Sequence, residues 1–487
     1  MRRKRRNRLK SFIASLMMFL IVSVGAFFGI QFFTKTGVFR VPGVVYYDES
    51  LNADELSILQ EIFTNEITLD KDVTISARED SSKPTLEEDE FLYEILVPVA
   101  DFYEARTDIK EFTDEEYKII PLEELDFTKK LLAVNGEYYL DNYSSGATFR
   151  TIKFDSDKYK EEIQPLVTAA FAKTWPDSSS VLTMAQTGVT ALSRRMNTKL
   201  NEVGNATYFA ENIKDYLSKF DLTHTSNESS FTDLATGSNV CSDPRFIDTL
   251  TAIGLDIVEL TGNHNQDCGN EAAINTIDIY GQNNIKTVGG GKTADEAAIP
   301  LEISEKGTNI TFLAYNLSTG GATHGDVPGA NQYYEENAVE EIEKAKKQGN
   351  YVIVDMQYYE CSNYDTEYEN NSCDYADSSA GDQIGTFRHL IDLGADMVVG
   401  TSAHQPQTFE LYGGGAIYYG LGNLFFDQTW WPGTTRSLAL EHYFFNNKLI
   451  QTRMRPTVYD ANMQTELMDA DTAKWFISRL IDAKPQS

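Results

Sequence analysis

Through the second half of the chain, short apolar runs alternate with segments whose apolar residues recur every three to four positions. Val181-Leu-Thr-Met, Ile257-Val-Glu-Leu, Ile285-Lys-Thr-Val, Ile310 to Tyr315, Tyr351 to Val354, Met397-Val-Val and Ile417-Tyr-Tyr read as buried strands. Between them the spacing predicts helices after Pro244 and over 270–282, 337–347 and 384–393. In the first of these, Phe246, Leu250 and Ile253 share one face, and Gly254 suits the C-terminal stop. Strand–helix alternation of this kind predicts an α/β fold with a largely parallel or mixed sheet covered by helices. Polar residues repeatedly follow the strand ends, which is where open α/β sheets gather their sites.

The first half is less regular. From about Val45 to Ser180, acidic helical stretches mix with short strands, and no chemical motif stands out. Lys130-Leu-Leu-Ala-Val leads to a Gly136-Glu turn and Tyr138-Tyr-Leu, and Arg78 to Glu90 reads as a charged loop. This region is expected to be a small α/β accessory domain (45–180) ahead of a main domain (181–460) and a C-terminal helix and tail (461–487).

The N-terminus changes the picture. Residues 1–10, MRRKRRNRLK, carry seven Lys or Arg and no acid, and Ser11 to Phe33 carry no charge. A helix rising ~1.5 Å per residue crosses a ~30 Å hydrocarbon core in about 20 residues, so 11–33 is long enough to span. The basic flank holds residues 1–10 in the cytoplasm. The expectation is a single-pass anchor in the cell membrane, with everything after Lys35 on the extracytoplasmic side. A cleaved signal peptide competes with this reading, but its apolar region is normally ~7–15 residues and ends in a small-x-small site; Thr34 to Arg40 offers none.

Setting the tail cations aside from the formal −31 leaves about −38 on the remainder. Such a surface repels nucleic acid and anionic lipid, which excludes DNA and RNA as partners. Four cysteines (Cys241, Cys268, Cys361 and Cys373) form neither a CxxC zinc pattern nor a disulfide-dense scaffold. Two disulfides fit an oxidising compartment, and Cys361–Cys373 closes the shorter loop.

The strongest local signal is Gly262-Asn263-His264 directly after an apolar strand. Gly permits a tight exit, Asn offers a hard carbonyl oxygen, and His offers a ligand nitrogen or a titratable acid. The same triplet also serves as an ordinary strand-end turn. Taken with ELTGNHNQDCG (259–269), GADMVVGTSAHQPQTFE (394–410), IYYGLGNLFFDQ (417–428), TGVTALSRR (187–195), SNES (226–229) and VIVDMQYYE (352–360), the chain resembles the CapA family of bacterial capsule synthesis proteins. That resemblance covers about Ser180 to Asp460. It implies a metallophosphoesterase-like α/β/β/α sandwich, a membrane anchor and a role in poly-γ-glutamate capsule production. The implied partners are the polymer or its synthesis and export complex in the membrane.

The departures from the family pattern bear on mechanism. Where the family has Gly-Asp at the end of the first strand, this chain has Gly188-Val189-Thr190; the common His-Trp is Gln357-Tyr358; a usual His is Ser402, while His404 remains. A two-metal centre needs several imidazoles and carboxylates. Asn263, His264 and His404, with Glu228, are the surviving candidate metal ligands, enough for one divalent Mn, Mg or Zn ion at best, or for none. His264 and His404 are the candidate acid–base residues, each beside amides or acids such as Asp267, Gln405 and Gln407. Thr190, Arg194, Asn227, Glu228, Asp267, Gln357, Gln407 and Asn423 are expected to line a polar, hydrolase-like cleft. His224 and His324 read as polar-loop residues able to replace a missing ligand, and His389 as a helix-packing or surface residue. A silent polymer-binding scaffold and a metal-dependent phosphoesterase are the rival functions.

Other signals resolve more plainly. GGGKT (289–293) lacks the Gly that a phosphate-binding loop requires at 286, which is Lys. Phe425-Phe426 and Trp430-Trp431 suit either core and rim packing or a sugar- or membrane-contacting patch. Arg194 and Arg195 could bind a carboxylate or phosphate, or form an internal ion pair.

Overall fold

A computed structural model describes residues 45–63, 73–110, 117–155, 164–165, 173–317, 320–359, 364 and 381–485. Ser11–Phe33, Cys361 and Cys373 lie outside these residues, and among the described ones no helix is long and apolar enough to cross a membrane. The chain divides into two compact units, Met1–Ile95 with Thr148–Thr174 and Leu96–Ala147 with Trp175–Ser487.

In the first unit, strands Val45–Tyr47, Val73–Asp80 and Thr148–Asp155 and the start of Glu90–Asp101 form one sheet. Its helix, Ala53–Ile62, opens with a reciprocal cap in which the Asn52 side chain accepts from Glu55 N–H and the Glu55 carboxylate accepts from Asn52 N–H. The same buried carboxylate takes a two-pronged ion pair from Arg150, at 2.5 and 2.7 Å. The charged loop expected over Arg78 to Glu90 is shorter than its composition implies. Arg78 to Asp80 complete a strand, because Arg78 pairs across the sheet with buried Glu90 at 2.9 Å.

The second unit carries the regular part. In chain order its strands are β1 (Leu182–Thr190), β2 (Leu222–Asn227), β3 (Ile257–Glu259) and β4 (Lys286–Val288), interleaved with helices α1 (Arg195–Val203), α2 (Ile247–Ala252) and α3 (Asn270–Gln282). There follow β5 (Leu301–Glu305), β6 (Thr308–Asn316), α4 (Glu335–Gln348), β7 (Tyr351–Gln357), α5 (Gln383–Asp392), β8 (Met397–Thr401), β9 (Phe409–Tyr412) and β10 (Gly415–Tyr418). The chain closes with β11 (Asn423–Phe425), β12 (Arg436–Phe445), β13 (Lys448–Tyr459), β14 (Thr465–Leu467) and α6 (Ala470–Asp482).

These strands build two mixed sheets. One runs β4-β3-β2-β1-β12-β13-β14, with β1 to β4 parallel, β11 parallel to the end of β1, and β12 to β14 antiparallel. The other runs β5-β6-β7-β8-β10-β9, parallel through β6, β7, β8 and β10. Alternation along each strand decides what faces what. In β7, Tyr351 and Ile353 enter a core shared with Met184, Leu222 and Ile257 of the other sheet, while Val352, Val354 and Met356 meet Ile342 of α4 and Phe387 and Leu390 of α5. On the far side, Ala185 and Val258 pack against Met196 of α1, Leu250 of α2 and Tyr280 of α3. The order of layers is helices, sheet, sheet, helices.

Sequence and structure part at several places. Tyr138-Tyr-Leu, expected to follow the Gly136 turn within a run of short strands, instead enters a single helical turn at Tyr139–Asn142, with Tyr139 and Leu140 buried. Cys241 and Cys268 form a disulfide, the pairing complementary to Cys361–Cys373.

Candidate functional site at the strand ends

Both inner sheet faces are apolar where their parallel strands begin and polar where they end. In β2 the inward series runs Leu222, His224, Ser226; in β3, Ile257, Glu259; in β7, Ile353, Asp355, Gln357. Halfway up, buried His224 stacks on Phe312 (5.6 Å between centroids) and sets its Nε2 3.1 Å from Asp355 Oδ2, while Gln186 Nε2 donates to Asp355 Oδ1 at 2.7 Å. His224 therefore belongs to a strand and not to a polar loop, with Asp355 of the opposite sheet directly across from its ring. Glu259, held by the N–H and hydroxyl of Thr261, is pushed up to about 7 by burial and by Asp355, against hydrogen bonds from Ser226 and Thr261 that lower it.

Above this layer the candidate residues gather in two linked groups. His404 Nδ1 lies 2.8 Å from Asn423 Oδ1, and its Nε2 lies 3.7 Å from Glu228 Oε2, with all three residues buried. Thr190 caps the neighbouring strand end, its hydroxyl donating to Ser226 O at 2.8 Å, and Asn227 Nδ2 donates to Ser229 O at 2.9 Å. In the second group, Gln357 Nε2 donates to Asn263 Oδ1 at 3.1 Å, and Thr401 Oγ1 donates to Gln357 Oε1 at 3.0 Å. Gly262 joins the groups. A Cβ there would meet Glu228 Cα at 2.7 Å and Asn227 O at 2.9 Å, so only glycine lets the Asn263 loop close onto the end of β2.

Other candidates lie apart from these groups. His264 is a third exposed and sets Nδ1 2.7 Å from Asp267 Oδ2. Gln407 accepts from Gln383 Nε2 at 3.1 Å in a buried bracket between α5 and the turn after β8. Arg194 closes on Asp427 through Nε (3.1 Å) and Nη2, and so takes the internal ion-pair alternative. His389 faces Glu335 at 3.2 Å on the surface, and His324 lies in an exposed loop. Ser402 holds φ at 79°, a conformation that costs a non-glycine residue roughly 1–2 kcal/mol.

A two-metal centre requires several anionic and imidazole donors converging within a few ångströms. Among the described residues no group of three or more His, Cys, Asp or Glu side chains is gathered in that way. The Asn263 oxygen is engaged by Gln357 and the His404 Nδ1 by Asn423, so the facing pair of donors is Glu228 and His404 Nε2. This donor set does not fit a two-metal centre.

Pattern reading missed Gln186, Glu259, Asp355 and His442. The available signal was a charge inside an apolar run, as in Val-Ile-Val-Asp355-Met and Ile-Val-Glu259-Leu. A buried strand carries such a residue only when it has a partner.

A family model described as bacterial capsule synthesis protein PGA_cap matches residues 183–428. The chain is 23% identical over 274 residues to the capsule biosynthesis protein CapA of Bacillus anthracis, covering 54% of this chain and 63% of that protein. It is 28% identical over 200 residues to the PGA biosynthesis protein CapA of Bacillus subtilis (strain 168), covering 40% and 49%. A probable polyglutamine synthesis accessory protein of Mycobacterium tuberculosis is 25% identical over 194 residues, covering 37% and 48%. The chain thus spans less than two thirds of the length of these relatives. Among solved structures, the NAD nucleotidase NadN of Haemophilus influenzae aligns with a TM-score of 0.31 and 12% identity, over 62% of this chain and 55% of that one.

Proposed function

Because the chain belongs to the family of bacterial capsule synthesis proteins, whose model spans 183–428, we propose that it acts on a poly-γ-glutamate capsule chain during export or attachment, by proton transfer at the strand-end cluster. The general role in capsule and polyglutamate synthesis rests on that family and on the named relatives. On this reading the layered fold is metallophosphoesterase-like with its two-metal centre lost. Ser11–Phe33 is the anchor and the two compact units lie outside the cytoplasm, facing the polymer or its export complex. The Cys241–Cys268 disulfide supports an oxidising location.

The observation that carries the reading is the His404 constellation. Asn423 gives its amide hydrogens to Thr434 O (3.0 Å) and Gln428 Oε1 (3.2 Å), which turns its oxygen toward His404. His404 therefore carries a hydrogen on Nδ1, and its Nε2 is aimed at Glu228. Glu228 Oε2 faces Nε2 at 3.7 Å, beyond hydrogen-bond distance, and on this reading Nε2 is the atom that passes a proton to a leaving group beside that carboxylate. Once that proton is given up, the same nitrogen can accept one from an attacking nucleophile. Gln357 and Asn263, locked to each other, are polar positioning groups beside it.

H404Q and E228Q, each supplied to a capsule-forming host in place of the native protein, test the proposal by capsule yield and polymer length. General acid–base catalysis contributes about 10²–10⁴-fold, so both variants should stop capsule formation at normal protein level. The second reading, a polymer-binding scaffold, is favoured by the Gln357–Asn263 lock and by Val189 and Ser402 at the positions of a family acid and a family imidazole. Unchanged capsule in both variants would establish the scaffold and refute proton transfer.

A further inference from the structure

Beside His404 the chain assembles two guanidinium groups and a row of aromatic rings that the proton-transfer cluster does not use. Phe426 lies 5.2 Å from the His404 ring, and the Arg194 guanidinium sits 4.4 Å above Phe426 and 5.8 Å from Trp430. Trp430 packs edge-on against Trp431 and keeps 48% of its surface exposed. Buried Asp427 holds Arg194 through its carboxylate, while its backbone oxygen takes Arg195 Nη1 at 3.4 Å; Thr429 Oγ1 takes the same nitrogen at 3.1 Å. Among these residues, two cations stand against one carboxylate. Arg194 is held there at φ 53°, outside the conformations a side-chain-bearing residue prefers. In a chain of formal charge −31, this local excess of positive charge is the reverse of the general field.

We infer that Arg195 and Trp430 form a subsite that reads the carboxylates of an anionic polyamide chain and sets its register against His404; this rests on the function proposed above. The chemistry matches piece by piece. A γ-linked glutamate chain repeats one carboxylate and two methylenes per residue. An arginine fork takes a carboxylate through paired hydrogen bonds, and an exposed indole face takes the methylenes. Arg194, already neutralised by Asp427, is a positioning residue: it bridges Phe426 and Trp430 and keeps the aromatic row upright. The subsite also supplies attraction where the net charge opposes a polyanion, so recognition is local and short-range.

The test is binding of a fluorescent ten-residue γ-glutamate oligomer to the full chain in detergent, with R195Q and W430A compared to wild type. The same oligomer with its carboxylates converted to carboxamides serves as control. One lost charged hydrogen-bonding pair weakens binding by about tenfold or more. R195Q should therefore lose at least that for the acid oligomer and little for the carboxamide, whereas W430A should weaken both. Both positions are surface-exposed, and unchanged thermal unfolding identifies folded variants. Tight wild-type binding that neither variant alters would overturn the subsite and leave the proposed function standing. Absence of wild-type binding would also overturn it; the proposed function then falls only if H404Q and E228Q leave the capsule unchanged.

Discussion

Replacing both Cys241 and Cys268 by serine should loosen one corner of the site by a calculable amount. The disulfide ties strand residues 241–242, which pair with 230–231, to the loop that follows Asn263-His264. Ser230 Oγ donates to Asn265 O at 2.5 Å, and Asn265 Nδ2 donates to Leu260 O at 2.7 Å, so the linked segments also hold the exit of β3. For a sequence separation of 27, the chain-entropy relation gives about 3.5 kcal/mol of lost freedom in the opened state. At about 1.4 kcal/mol per factor of ten, opening should become a few hundred times more frequent without the bond. Amide hydrogen exchange of the full chain at constant pH reads this directly. Protection should fall over residues 230–242 and 260–269 and stay nearly constant in β6 and β7. Serine substitution is preferable to a reductant because it leaves Cys361 and Cys373 untouched. Exchange over those segments within threefold of wild type would refute the reasoning and mean that the hydrogen bonds alone hold the loop.

Three further outcomes follow from buried groups. His442 is pushed down to about 3 by burial and by His224, so the unfolded chain binds a proton near pH 6.5 that the fold refuses. Stability must fall as pH drops from 6.5 toward 3, and H442Q should flatten a slope of up to about 1.4 kcal/mol per pH unit in denaturant titrations. Glu259 acts in the opposite sense: its folded carboxyl keeps a proton to about pH 7 against 4.5 unfolded, so stability falls as pH rises across that window. E259Q should gain on the order of 3 kcal/mol at pH 8 relative to pH 4, and equal midpoint shifts at both pH values would contradict the assignment. A Cβ on Gly188 would stand 2.0 Å from Gly422 O, a backbone atom, so G188A should cost about 2 kcal/mol or more in a denaturant titration and displace Asn423.

The layered α/β part of this fold was legible because its strands and helices each keep one period over their whole length. β7 and α4 are examples: one face of each is apolar throughout its buried half, and the helix ends at Gly349 in the left-handed conformation that glycine tolerates. The strand-end amides and His404 were legible from their place after apolar runs. The interlayer polar group was not, because a residue such as Asp355 or His224 reads as an interruption until the opposite sheet supplies its partner. That partner comes from a strand 131 residues away for the His224–Asp355 pair, as the two numbers themselves show. Arg194 and Asp427, too, meet only in three dimensions, at a separation of 233. Tyr138-Tyr-Leu misled for a different reason: aromatic β-formers bury equally well on one turn of helix, and tertiary packing decided between them.

The central strand β1 has one neighbour, β2, from the next stretch of chain, whereas its other edge is covered by β11 and β12, strands that come about half the chain later. A ribosome therefore completes four parallel strands, the last ending at Val288, and then synthesises about a third of the protein while the edge of β1 is still uncovered. Uncovered strand edges template pairing with other chains, so the nascent polypeptide has a built-in interval of vulnerability that ends when residue 445 has emerged. Fragments cut short before β12 are expected to be sticky species needing a holding chaperone, and they would lack a finished site as well, since the Asn423 amide is fixed by Thr434.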